Sequence, residues 1–176
     1  MNKLFEEIYG PAKKPNELLN LYKKPKKDKG LNKPHIKVYK SGLLQMADLL
    51  FLPNDNDYKY LLVVVDAGNR KLDAEPLKNK SSKDVVKGFK NIYNRNILQI
   101  PKRISLDPGP EFKGDVKNYF KDLGVFVRYG KVGRHRQQAL AEAANNIIAT
   151  VLFMRMQAEE LLTGQPSTEW VEDLPK

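Results

Sequence analysis

Three carboxylates stand out in the 176-residue chain because of the residues that surround them. Asp48 interrupts an otherwise apolar segment, residues 45–52, and an acid at the centre of a buried strand needs a cation or several hydrogen-bond donors. Asp107 ends a short apolar segment directly before Pro-Gly-Pro, which can continue neither a strand nor a helix. Glu142 lies in a 25-residue run without proline or glycine, residues 136–160. A hard divalent cation held by carboxylate oxygens would satisfy all three acids together.

The apolar pattern predicts the elements that position these acids. Three strands, 45–52, 58–66 and about 71–76, are expected to form an antiparallel meander with a hairpin loop at 53–57. There follow a helix from a Ser81–Asp84 capping box to about residue 94, a strand at 103–106, a helix at 112–123, a strand at 125–128, a loop at 130–136 and the long helix. This order is typical of an α/β ribonuclease-H-like fold with a five-stranded mixed sheet flanked by helices. That fold would bring the tip of the fourth strand beside the middle of the first.

The long helix is expected to have one packed face and one polar face. The packed face is predicted from apolar residues at helical spacing, namely Leu140, Ala144, Ile147, Val151 and Met154. Glu142 shares a different stripe with Gln138, Asn145, Asn146 and Ala149. The glutamate is therefore expected to face a groove.

Composition and charge set the broad class. The chain has no cysteine, which excludes disulfides and thiolate zinc sites, and no apolar run approaches the about 20 residues that span a bilayer. With no signal-peptide core either, the protein is expected to be intracellular, without a membrane partner. Residues 1–44 contain 11 lysines and four acids, a net charge of +7, whereas residues 45–176 have 20 basic and 17 acidic residues, a net of +3. A basic arm, 1–44, is thus predicted ahead of a domain of nearly balanced charge, 45–176, and the arm indicates a nucleic-acid partner.

The basic stretch within the arm has two interpretations. Residues 23–29 contain five lysines, a composition found in nuclear import signals. The same composition also suits a solvated linker with no address function. The sequence leaves both open.

The ordered set of motifs resembles the retroviral-type integrases, within the Asp-Asp-Glu transposase and integrase superfamily. The matching features are Asp48 in a first strand, Asp107 in Ser-Leu-Asp-Pro-Gly-Pro-Glu-Phe, and Glu142 followed by Asn145. Segments 60–66, 76–80 and 168–175 fit the same family, and the resemblance is closest to the integrases of Maverick/Polinton elements and virophages. It covers roughly residues 45–176.

This resemblance implies a metal-dependent polynucleotidyl transferase with an endonuclease step. Asp48, Asp107 and Glu142 would be the catalytic residues and the ligands of two Mg²⁺ ions, for which Mn²⁺ can substitute. The expected reactions are 3′-end processing of element or viral DNA and strand transfer into target DNA. The implied partners are double-stranded element ends, target DNA and further copies of the chain, in a homodimer or higher multimer. The expected location is the host nucleus or the viral particle or factory.

DNA contacts are expected around the long helix and the loop before it. The predicted DNA-binding residues are Lys131, Arg134, His135, Arg136, Gln138, Asn145 and Asn146. The chain departs from the family pattern in having 34 residues between Asp107 and Glu142 instead of 35, and in having Asn146 and Ala149 where relatives often have Arg or Lys. Relatives also continue past the position of Lys176, so a core without the C-terminal DNA-binding domain is expected.

Two other functions remain open. One is a ribonuclease-H-like nuclease, although such enzymes add a glutamate from the first helix and the predicted helix contains none. The other is a catalytically silent DNA-binding or assembly module. For assembly, Phe89, Tyr93 and Trp170 are candidate interface residues, with packing in the monomer's own core as the alternative.

Overall fold

A five-stranded mixed sheet organises the computed structural model, which describes residues 38, 40–130 and 139–174. The elements are β1 (Leu44–Asp55), β2 (Tyr58–Asp66), β3 (Leu72–Leu77), α1 (Ser82–Asn94), β4 (Arg103–Leu106), a 3₁₀ turn (Pro110–Phe112), α2 (Asp115–Asp122), β5 (Phe126–Tyr129) and α3 (Ala139–Thr163). The strand order is β3-β2-β1-β4-β5, with β1, β2 and β3 antiparallel and β4 and β5 parallel to β1. The predicted α/β ribonuclease-H-like fold is confirmed.

The hairpin between β1 and β2 is tighter than predicted. Its turn consists of Asn56 and Asp57, whose φ angles of 49° and 72° are those of a two-residue hairpin turn. The predicted loop at 53–57 is therefore wrong, because β1 continues to Asp55. A register shift between Phe51 and Asp55 accommodates Pro53. This part of β1 lies beyond Met46, the last residue that pairs with β4, so the proline interrupts no bond to that strand.

Side chains alternate between the two faces of the sheet and build two cores. On the α1 side, Ala47 and Leu49 of β1 join one cluster, and on the α3 side Met46 and Leu50 pack with the other. The α1-side cluster also contains Leu62, Val64, Val85, Phe89, Ile92, Ile104, Leu106, Phe112, Val116, Phe120 and Val125. The α3-side cluster contains Leu52, Leu61, Val63, Val65, Ala141, Ala144, Leu152, Met156 and Trp170.

Helix α1 begins as the sequence predicts, and its aromatic residues are buried. The Ser81 hydroxyl accepts a 3.2 Å hydrogen bond from the Asp84 backbone N–H, which caps the helix. Phe89 is completely buried and Tyr93 is 7% exposed, with its hydroxyl donating a 2.8 Å hydrogen bond to Gln45 Oε1. Neither aromatic is therefore part of an exposed interface, and the alternative that they pack in the monomer's own core is confirmed.

Helix α3 presents a different face to the sheet from the one predicted. Ile147, Val151 and Met154 were expected in the core, but they are 64%, 52% and 63% exposed. The buried residues are Ala141, Ala144, Asn145, Leu152 and Met156. Because α3 is apolar around most of its circumference, periodicity alone does not select its packed side. The face with the small alanines lets the helix approach the sheet closely.

The segment after α3 closes the α3-side core. Trp170 is fully buried and its indole N–H donates a 2.8 Å hydrogen bond to the Pro53 carbonyl. Asp55 Oδ2 accepts from the backbone N–H groups of Trp170 and Val171 at 2.9 and 2.8 Å. The prediction of Trp170 as an interface residue is therefore wrong, since it binds the bulged end of β1 within its own chain.

Within residues 38, 40–130 and 139–174, no helix is long and apolar enough to cross a membrane. Even α3, at 25 residues the longest of the described helices, includes Glu142, Arg155, Glu159 and Glu160.

Candidate active site

Asp48 in β1 and Asp107, the residue directly after β4, occupy matching positions relative to the pairing of these two parallel strands. Met46 of β1 pairs with Ser105 of β4, and each aspartate follows its paired residue by two positions. Because side chains alternate along a strand, both aspartates lie on the α3 side of the sheet. Adjacent strands are only about 4.8 Å apart, so the predicted meeting of the β4 tip with the middle of β1 is confirmed.

Asp48 lies half-buried in an anionic environment. Its two oxygens accept 2.9 Å hydrogen bonds from the Leu49 backbone N–H and from Asn145 Nδ2. Burial raises the pKa of Asp48, the Leu49 N–H lowers it, and the charges of Asp107, Glu142 and Glu111 raise it further. Among the described residues, no lysine or arginine forms an ion pair with Asp48.

Glu142 reaches this environment from the first turn of α3. It is exposed, and Asn145, three residues later on the same side of the helix, is buried and bound to Asp48. The Glu142–Asn145 stripe therefore faces Asp48, whereas Asn146 is exposed to solvent. Asn145 holds a catalytic candidate in place, a contact that sequence reasoning did not find because its partner is distant in the chain.

Glu111 is a fourth carboxylate near Asp48, expected from the sequence only as a helix N-terminal acid. It lies in the first turn of the 3₁₀ helix after Asp107, and its charge contributes to the raised pKa of Asp48. A Cβ at Gly109 would lie 2.5 Å from Glu111 Oε1, so the glycine lets this carboxylate fold over the turn. The sequence signal was the acid directly after Pro-Gly-Pro.

Asp66, the acid that ends β2, binds the backbone of the adjacent turns. Its carboxylate accepts 2.7 Å hydrogen bonds from the backbone N–H groups of Gly42 and Gly68, and a 3.1 Å bond from that of Asn69. These bonds organise the turn after β2 and leave Asp66 outside the catalytic group.

The chemistry of the donors around Asp48 suits a divalent cation, but their described arrangement does not yet form a complete ligand set. Four acids contribute hard oxygen donors, and the buried Oδ1 of Asn145 has no hydrogen-bond partner in the described part of the chain. However, among the described residues no three Asp, Glu, His or Cys side chains are grouped closely enough to hold one metal ion. Ligation by Asp48, Asp107 and Glu142 stays a prediction.

The predicted DNA-binding loop begins beside Asp107. The Gly130 backbone N–H donates a 2.9 Å hydrogen bond to the carbonyl of Leu106, the residue before Asp107. Five of the predicted contacts, Lys131, Arg134, His135, Arg136 and Gln138, lie outside the described residues.

Comparison with known families places these features in context. Residues 39–135 match the family model described as the integrase core domain. The match covers all five strands with Asp48 and Asp107, and α3 with Glu142 follows it. The curated proteins compared with the chain give no match.

Proposed function

Because the chain belongs to the integrase core domain family, whose model covers more than half of it, we propose that it trims the 3′ ends of element or viral DNA and joins them to target DNA. The observation that carries the proposal is the placement of Asp48 and Asp107 at matching positions on neighbouring strands, with Glu142 facing them from α3. Carboxylates from three separate parts of the chain would then serve one site on the α3 side of the sheet.

Asp48, Asp107 and Glu142 would hold two Mg²⁺ ions. When bound, such ions stabilise the attacking and leaving oxygens of an in-line displacement at phosphorus. The hydrogen bond from Asn145 orients Asp48 Oδ2, while the exposed Glu142 is accessible from solvent. Water attacks in the trimming step and the new 3′ hydroxyl attacks in the joining step, so no side-chain nucleophile is required. One phosphodiester replaces another, and no external energy source is needed.

Two features favour this reaction over the alternatives. Helix α1 contains no glutamate to add the fourth carboxylate of a ribonuclease H from the first helix. A silent assembly module would have no need for the anionic group around Asp48, which costs stability in the absence of a cation.

The proposal extends to the biological setting. The ordered motifs support an origin in Maverick/Polinton-type or virophage elements, whose DNA is inserted in the host nucleus or handled in a viral factory. The basic arm, residues 1–44, would add DNA affinity, and a dimer or higher multimer would hold two element ends.

The test is Mn²⁺- or Mg²⁺-dependent nicking of supercoiled plasmid by the full chain, an assay that does not require the element's end sequence. We expect Asp48→Asn and Asp107→Asn each to reduce nicking to background and to weaken Mn²⁺ binding in calorimetric titrations. Glu172→Gln, at an exposed acid, should behave as wild type. Undiminished Mn²⁺ binding in both aspartate variants would rule out the assignment.

A further inference from the structure

The core beneath α3 covers the α3-side face of β1, β2 and β3 but draws no described member from β4 or β5. That core is built from β1, β2, β3, α3 and the segment around Trp170. Phe126, the first residue of β5, is 65% exposed. The face of β4 and β5 on this side is therefore accessible at Phe126.

Strand register defines which side chains share this face. Arg103 pairs with Phe126, and Ser105 pairs with Arg128. Ile104 and Val127, the residues between them, pack on the α1 side. By alternation Arg103, Phe126 and Arg128 lie on the opposite face.

The same face contains the catalytic carboxylates. Asp107 lies two positions beyond Ser105, the residue paired with Arg128, and Asp48 lies two positions beyond Met46, which pairs with Ser105. Two strand positions span about 7 Å. A ligand lying across Arg128 would therefore reach Asp107 without crossing to another part of the surface.

Within the described residues, the two arginines on this face lack the carboxylate partners that Arg95 and Arg155 have. Arg95 forms ion pairs with Asp73 and Glu75, and Arg155 pairs with Asp173 at 2.9 Å. In contrast, neither Arg103 nor Arg128 pairs with a carboxylate within the described residues, and the buried Nε of Arg103 has no hydrogen-bond acceptor there. Neither guanidinium charge is therefore neutralised by a carboxylate in the described part of the chain, and each guanidinium has further N–H groups that can donate to an anionic ligand.

We propose that Arg103, Phe126 and Arg128 form a platform that binds an unpaired segment of the DNA strand and leads it to the carboxylates. The arginines bind backbone phosphates, and the exposed ring of Phe126 stacks on a base, an arrangement that suits single-stranded nucleic acid. The choice of DNA as the polyanion rests on the proposed function. The platform goes beyond it by assigning residues outside the long helix and the loop before it.

The platform is tested by metal-free binding of the full chain to short fluorescein-labelled oligonucleotides, measured by anisotropy in EDTA over a series of salt concentrations. Phe126→Leu should weaken single-strand binding by about fivefold or more and change duplex binding little, because only an unpaired base exposes its face. Arg128→Gln should weaken binding to both forms and reduce the slope of log affinity against log salt by about 0.7 for single strands and about 0.9 for duplex.

Two matched variants serve as controls. Phe51→Leu changes an aromatic of similar exposure, 60%, on the opposite face of the sheet. Lys117→Gln removes one charge from an exposed position of α2. Both should bind single strands within about twofold of wild type, and equal melting temperatures would show that all four variants are folded.

Two results would overturn the platform: wild-type chain that does not bind single strands, or Phe126→Leu and Arg128→Gln variants that both bind them within about twofold of wild type. Because this assay contains no divalent ion, it is independent of nicking. If the platform variants lose single-strand binding but the wild-type chain does not nick plasmid, the proposed function is rejected and the platform is kept. Metal-dependent nicking with undiminished binding in both variants would reject the platform alone.

Discussion

Asn145 Nδ2 donates a 2.9 Å hydrogen bond to Asp48 Oδ2 across 97 residues of sequence. This bond ties α3 to the central strand at the point where four acids approach one another. It offsets part of the cost of burying Asp48 but adds no positive charge, so the repulsion among the carboxylates remains. The charges of Asp107, Glu142 and Glu111 therefore add to the effect of burial, which is the largest cause of the raised pKa of Asp48.

Replacing Asp48 with asparagine should stabilise the metal-free protein while abolishing nicking. The pKa of Asp48 in the folded protein is raised above its ordinary value of 3.8, so ionisation favours the unfolded state as pH rises through the folded pKa. The amide removes this penalty, and the gain in melting temperature should be largest at neutral pH and disappear below pH 3.8. Thermal unfolding in EDTA at both pH values measures it. An equal gain at the two pH values, or in Glu172→Gln, would contradict the electrostatic origin.

Adding a further acid beside Asp48 should have the opposite effect. Asn145→Asp replaces a hydrogen-bond donor with a like charge and should lower the free energy of unfolding at neutral pH by about 1–3 kcal/mol. Addition of Mn²⁺ should recover part of this loss, because the new carboxylate is a hard ligand. Asn146→Asp makes the same charge change at an exposed neighbour and is the control. Equal losses in the two variants would show that the contact with Asp48 is unimportant.

The sequence predicts those features of the fold that depend on local pattern. The apolar runs of β2 and β4 and the Ser81 cap of α1 identify these elements nearly to the residue, since burial and capping act over a few positions. The packed face of α3 was not predictable in the same way, because Ile147 is as apolar as the residues that are actually buried. Which face of α3 packs on the sheet depends on how closely the helix approaches it.

In the candidate site too, some features follow from local sequence and others only from the three-dimensional arrangement. Asp48 and Asp107 were found because an acid in a buried strand, or at its end, is unusual in itself. The contact of Asn145 with Asp48 and the proximity of Glu111 depend on the three-dimensional arrangement. For Arg103 and Arg128, the pairing of β4 with β5 puts their side chains on one face, and no spacing in the sequence indicates it.

The buried position of Trp170 can be tested through its fluorescence, since it is the only tryptophan in the chain. Its emission should be blue-shifted in the folded protein and move to the red on unfolding. Phe substitution preserves most of the volume, whereas Trp170→Ala should cost about 3–5 kcal/mol of unfolding free energy.

The carboxylate that holds the tryptophan segment should also matter for stability. Asp55→Ala leaves the backbone N–H groups of Trp170 and Val171 without their acceptor and should cost about 1–3 kcal/mol. Asn54→Ala, at the exposed neighbouring position, is the control. Chemical denaturation of both variants measures the difference, and equal stabilities would show that Asp55 does not hold the segment.

The basic arm should contribute affinity for DNA of any sequence. Replacing the five lysines of residues 23–29 with glutamine should flatten the dependence of log affinity on log salt, at about 0.9 per lost phosphate contact. A matched control replaces five exposed lysines of α1 and α2, namely Lys83, Lys87, Lys90, Lys117 and Lys121. A slope that changes equally in both variants would show that net charge, and not the arm, sets the affinity.

The bond between Trp170 and Asp55 joins residues 115 positions apart, and this separation sets an order of events during synthesis. The α1-side core draws its buried members from Ala47 to Val125, so the sheet can gain one complete layer while the ribosome is still making α3. The α3-side core cannot be completed until Trp170 has been synthesised. We therefore expect a nascent chain to fold the sheet with Asp48 and Asp107 before α3 adds Glu142 and Asn145.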